Sequence, residues 1–239
     1  MTRKAPRSRS VTPKSQAAAS LATDRGGALS GNDIWQVSHR PREPFVVMPS
    51  FHSKDELTRA NCVDVRLGND LILMRKGEIA TLRFDDTNLI ETLHRFYEPK
   101  YVSFDQDFIL HPGELVLGAT LEYIVLPKDL MAYIIGRSSW GRLGLVIATA
   151  TVIQPGYKGC PTLELENTGN IPLQIFPGSP IPIAQLSLHW VGPGQKGYIG
   201  KYSEHRWVGP TGPGYSKIHQ DKLFKEWMKY RRELSTRHS

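Results

Sequence analysis

The chain has 239 residues, 40% of them hydrophobic and 22% charged, and its mean hydropathy is −0.33, the composition of an ordinary water-soluble domain with appendages. No apolar run reaches the roughly 20 residues of a membrane span, and the basic N-terminus lacks the apolar segment of a signal peptide, so a membrane protein is not expected and the cytoplasm is the expected compartment. The formal charge is +7; residues 1–25 and 217–239 carry +5 and +4, which leaves residues 26–216 at about −2, so the basic character belongs to the ends.

Residues 1–32 are Ser, Ala, Lys and Arg with almost no large apolar side chain, too little to offset the entropy of ordering, and are expected to be a disordered basic extension. Contact of these basic tails with nucleic acid is not expected, since a solvated tail accounts for them. From 33 to 191 the pattern is of short apolar or alternating runs, CVDVRL, DLILM, ELVLGATLEYIVL, LVIATATVI, TLELEN, LQIF and IPIAQLSL. HPG, QPGYKG, NTGN and FPGSP punctuate them, which predicts a mainly β core, a sandwich or barrel. Helical interruptions are expected around Ser53–Ala60 and Leu126–Tyr133, and Arg75–Tyr97 is not readable. His111 falls in a turn. Residues 192–217, crowded with Gly, Pro and aromatic residues, are expected to form a loop-like arm. In 218–239, Leu223, Phe224, Trp227, Met228 and Leu234 recur at helical spacing and predict an amphipathic terminal helix. Cys62 and Cys160 stand too far apart for a zinc CxxC pair, and the HxE with PCxxC signature of zinc deaminases is absent from the sequence.

GRSSWGRLGL, Gly136 to Leu145, sets two arginines five apart around two adjacent hydroxyls, groups suited to phosphate oxygens. It is not a P-loop, because the GxxxxGK[ST] spacing is missing. On residues alone, an anion site and a surface loop with chance arginines are equally good readings. In TLELEN, Glu164 and Glu166 share one strand face opposite Leu163 and Leu165, which by itself also describes two solvent-facing glutamates.

GRSSWGRLGL, TATVIQPGYKGCPTLELEN (Thr149–Asn167) and FPGSPIPIAQLSL (Phe176–Leu188), with NCVDVRLGN and FILHPGELVLGATLE upstream, are similar in order and spacing to dCTP deaminases of the trimeric dUTPase-like family. The resemblance implies a dUTPase-like distorted β-barrel or jelly-roll core with short helices. It also implies a homotrimer with interfacial active sites and hydrolytic deamination of dCTP to dUTP and ammonia. No zinc or protein-bound metal is implied; Mg2+ would arrive on the triphosphate, and dUTP or dTTP would be product or feedback ligand. By the same resemblance Arg137, Ser138, Ser139, Gln185 and Lys201 would hold phosphates, and Ser138 and Arg142 would flank the reaction centre. Glu164 would be the general base. The backbone at Thr149, Ala150 and Ile153 would read the base, and Gln154 and Tyr157 would meet the sugar. Tyr198, Tyr202 and His205 would belong to a lid formed by the arm.

Two positions depart from the family pattern. Gln154 stands where the family usually has Asp, the residue that in dUTPases activates the water attacking phosphate, and an amide cannot serve as that base. Val152 stands where many deaminases have Arg. An active deaminase is the first expectation, a catalytically impaired nucleotide-binding regulator or sensor the alternative, and a dUTPase or bifunctional enzyme is opposed by Gln154. Such proteins occur in biosynthesis, in phages and in antiviral defence.

Overall fold

The structure is a computed structural model that describes residues 27–50, 53–74, 95–148, 151–192, 196–197 and 229. The arm and terminal helix therefore lie, but for Gly192, Lys196, Gly197 and Lys229, outside the described residues. So does most of the unreadable Arg75–Tyr97 stretch.

The chain enters its core earlier than expected. Strand β1 (Gly27–Ala28) pairs with β15 (Ala184–Trp190), and helix α1 (Gly31–Ser38) follows. Ser30 starts that helix with a capping box, its hydroxyl accepting from the Asp33 amide while the Asp33 carboxylate accepts from the Ser30 amide. The Ser-x-x-Asp pattern was the signal for it. The expected helix near Ser53 is α2 (Lys54–Ala60), with the same device between Ser53 and Glu56.

The helix expected over Leu126–Tyr133 is not there. Lys128 and Asp129 form a turn and Leu130–Gly136 is strand β9. Leu130, Ala132 and Ile134 are buried and Met131 and Tyr133 half-buried, a period of two that pairing with β15 along its full length makes decisive. ELVLGATLEYIVL also breaks, into β7 (Leu115–Ala119) and β8 (Tyr123–Val125). At the break the fully buried Glu122 carboxylate accepts from the Arg66 amide at 2.8 Å and Arg66 Nε at 2.6 Å.

Two five-stranded antiparallel sheets carry the fold. One runs β1-β15-β9-β11, where β11 is Val152–Ile153, with β3 (Val63–Val65) on the edge of β15 that β1 also uses. The other runs β10 (Leu145–Ile147), β13 (Thr162–Asn167), β7, β4 (Asp70–Met74) and β5 (Tyr97–Tyr101). Smaller sheets join β12 (Lys158–Gly159), β8 and β2 (Val46–Met48), and β14 (Leu173–Ile175) with β6 (Phe108–Leu110). Val63, Val65, Ala132, Ile134, Leu186 and Leu188 of the first sheet and Leu71, Val116, Leu145, Leu163 and Leu165 of the second meet in one buried cluster. This is the mainly β core with short helices that the sequence predicts. Among the described residues no helix is long and apolar enough to cross a membrane.

Candidate nucleotide site

The GRSSWGRLGL segment leaves the end of β9. Arg137 is extended, at φ −77° and ψ 137°, and precedes a single helical turn, α3 (Ser138–Gly141). The turn is tied down by Trp140, whose indole N–H donates to the Pro182 carbonyl at 3.1 Å. Its far end is fixed by Gly144, at φ +97°, where a Cβ would come within 2.6 Å of the Gly169 backbone; only glycine fits both demands. Ser138, Ser139 and Arg142 are exposed, and among the described residues the two serine hydroxyls have no hydrogen-bond partner.

Arg137 is half-buried and pairs through Nη1 with the Asp64 carboxylate of β3. Asp64 is in register with Gln185 of β15, and Gln185 with Ile135 of β9. Cross-strand partners project to one face, so Asp64, Gln185 and Arg137 gather at one end of three adjacent strands. Cys62 lies in the field of this pair: burial and then the Asp64 charge push its thiol up, against the smaller opposing effect of Arg137. Cys160 is buried. Neither Asp64 nor Trp140 was expected at the site from sequence. The alternation in VDV marks Asp64 as outward-facing, but only strand register shows which side chain it meets.

Glu164 occupies the second sheet, on the half-buried face of β13, between Leu117 of β7 and the end of β10, where the Ala148 amide donates to the Glu164 carbonyl at 2.9 Å. Its carboxyl is held above the usual glutamate range by burial, and among the described residues it has no hydrogen-bond or ion-pair partner. No hydrogen bond or ion pair among the described residues joins it to Arg137, Ser138, Ser139 or Gln185.

Ile153 is buried with its side chain in the core, while Gln154 beyond it is exposed. β11 pairs only with β9 among the described strands. The Pro155-Gly156 turn follows, with Gly156 at φ +79°. Tyr157, read from the resemblance as a sugar contact, is 8% exposed and belongs to the core cluster, so the bulk of its ring is a packing element. Thr149, Ala150, Tyr198, Lys201, Tyr202 and His205 lie outside the described residues. The neighbours of the first two are fixed, Ala148 to Glu164 of one sheet and the Thr151 carbonyl to the Ile134 amide of the other at 2.9 Å. His111 is exposed at the head of the HPG turn, its amide donating to Glu114 at 2.9 Å, as expected.

The mainly β core thus carries an Arg-Ser-Ser turn at one strand end and, on the second sheet, a half-buried glutamate whose carboxyl is raised by burial. The sequence profile described as dCTP deaminase-like matches residues 29–190, and the chain belongs to that family. A dCTP deaminase of Natronomonas pharaonis is 37% identical over 164 residues, 68% of this chain and 81% of that protein. A dUMP-forming dCTP deaminase of Mycolicibacterium gilvum is 39% identical over 198 residues, 81% of this chain and 96% of that protein. The crystal structure of the 2′-deoxycytidine 5′-triphosphate deaminase from Agrobacterium tumefaciens is similar with TM-score 0.49 and 21% identity, covering 70% of this chain and 47% of that one.

Proposed function

We propose that the protein hydrolyses the C4 amino group of dCTP, releasing ammonia, with Glu164 as general base. The observation that carries this reading is Glu164 itself: a carboxyl that burial raises and no described side chain engages, on the TLELEN strand of a chain in the dCTP deaminase-like family. A water molecule attacks C4; Glu164 accepts its first proton and passes it to ring N3, then takes the proton of the new C4 hydroxyl and passes it to the amino group, so that C4=O forms as the C4–N bond breaks and ammonia leaves. A raised carboxyl pKa brings the base closer to that of the groups it must reprotonate, and such assistance is worth about 100 to 10,000-fold.

Arg137, Ser138, Ser139 and Gln185 are read as phosphate ligands and Arg142 with Ser138 as neighbours of the reaction centre. Magnesium would reach the site on the triphosphate, where it supplies charge neutralisation, and these donors, neutral but for the two arginines, fit the phosphate oxygens left to the protein. Lys201 and the arm with Tyr198, Tyr202 and His205 would close over the phosphates, and dTTP would compete there as a feedback ligand. The family resemblance, and not a contact within this chain, supports a homotrimer with interfacial sites.

The proposed product is dUTP, because exposed Gln154 has no carboxylate with which to activate water at the α-phosphate. Relatives at 35–39% identity named dUMP-forming favour the second reading, that the chain continues to dUMP and pyrophosphate. Purified protein with magnesium and dCTP decides: dUTP and ammonia are expected, dUMP would establish the second reading, and unchanged dCTP with measurable binding would establish the impaired regulator.

A further inference from the structure

We propose that Asp64 is a positioning residue for Arg137, fixing the guanidinium edge that meets the triphosphate; this rests on the reading of Arg137 as a phosphate ligand. A carboxylate next to an anion site demands an account, since by charge alone it repels the ligand. The geometry supplies one. Arg137 is the last well-anchored residue before an exposed turn, its amide donating to the Ile183 carbonyl at 3.3 Å, and its long side chain would otherwise sample many rotamers. Of the Arg137 nitrogens Asp64 takes Nη1, and the other Arg137 guanidinium N–H groups have no partner among the described residues. A guanidinium is a planar fork with five donors, so holding one corner fixes the plane and leaves an edge for phosphate oxygens. The side chains are 35% and 26% exposed, open enough for a ligand to reach that edge. Gln185, in register with Asp64, is placed by the same strand pair, so one β-ladder sets both donors.

Charge and positioning predict opposite signs. If Asp64 merely offsets the Arg137 charge, its removal tightens triphosphate binding; if it orients Arg137, removal weakens it, because a misplaced donor loses contact. The test uses the full chain with dCTP and magnesium, and wild-type turnover is measured first, so that its failure overturns the functional reading before Asp64 is examined. With wild-type turnover established, Asp64→Ala is expected to raise KM for dCTP about tenfold with kcat within about twofold, and Asp64→Asn, which keeps an acceptor oxygen, to recover most of the loss. In an Arg137→Ala background Asp64→Ala is expected to add nothing. Lowered or unchanged KM in Asp64→Ala, no recovery in Asp64→Asn, or an undiminished effect without Arg137 each overturns the assignment. If Asp64→Ala does not fold, Asp64→Asn against Arg137→Ala and the double variant is read by the same criteria, with an expected KM increase of a few-fold that vanishes without Arg137.

Discussion

The Ala148 amide and the Glu164 carbonyl are joined at 2.9 Å, so the strand that carries the proposed base also anchors the entry to Thr149 and Ala150, the segment proposed to read cytosine. The backbone of Glu164 is thus fixed by β7 on one side and Ala148 on the other, while its side chain remains available. Replacing the carboxylate with an amide should leave that scaffold intact. Glu164→Gln is expected to lower kcat by about 100 to 10,000-fold with KM for dCTP within a few-fold, measured by ammonia release; substantial residual turnover would remove Glu164 as the base.

The raised Glu164 carboxyl fixes the direction of two pH effects. As a base it works deprotonated, so kcat should rise with pH through an ionisation above the roughly 4.3 of an ordinary glutamate, and Glu164→Gln should lose that limb. For stability the sign is reversed. Burial raises the folded-state pKa, so the folded protein holds the proton more tightly than the unfolded chain. Lowering pH from above the folded pKa through it favours folding, and above it the charged carboxylate costs stability. Glu164→Gln should therefore melt at or above the wild-type temperature at pH 7, with the difference shrinking toward pH 4. A variant that melts lower at pH 7 would contradict the burial account.

Much of this architecture was legible because its signals are local. The alternation in TLELEN places both glutamates on one face of β13, HPG and NTGN mark real turns, and IPIAQLSL ends in the first five residues of β15, Ala184 to Leu188. Leu126–Tyr133 misled because Leu126, Leu130 and Tyr133 also fit a helical period, and only pairing of β9 with β15 chooses the strand. Strand β1 is two residues long and gains its place from β15, whose sequence lies far downstream. The Asp64–Arg137 pair spans 73 positions and depends on the register of three strands, which no run of residues encodes. Tyr157 shows the converse limit: a likeness in sequence suggested a role, and the burial of the ring assigns most of its surface to packing.

Exposed Gln154 makes a prediction about the second substrate. With no carboxylate at that position, incubation with dUTP and magnesium should release no pyrophosphate above the uncatalysed background, followed by phosphate detection after pyrophosphatase. Release at a rate comparable with deamination would show that another group activates the water, and would move the chain to the dUMP-forming reading.

The Arg66–Glu122 pair should be a main determinant of stability. Glu122 is 0% exposed and Arg66 16%, and the carboxylate also accepts the Arg66 amide, so removing it takes a close charged partner from a partly buried guanidinium and the acceptor from that amide. Glu122→Ala is expected to cost about 3–5 kcal/mol, read by denaturant unfolding at fixed protein concentration because assembly would couple to folding. A loss below about 1 kcal/mol would mean that water replaces the carboxylate and that the break between β7 and β8 has another cause.

Gly144 links stability to the site. Its φ of +97° and the 2.6 Å approach to Gly169 mean that Gly144→Ala must bear left-handed backbone strain, of order 1–3 kcal/mol, and also push the NTGN turn away from the end of the 138–144 segment. Arg142 lies two residues upstream and moves with that segment, so kcat/KM for dCTP should fall about tenfold even where the variant is fully folded, since small misplacement of an orienting group is costly. Gly141→Ala is the control: a Cβ there meets nothing within 4 Å, so its melting temperature should stay close to wild type. Equal losses in both variants would show that the whole segment tolerates no side chain, and would remove the contact with Gly169 as the reason.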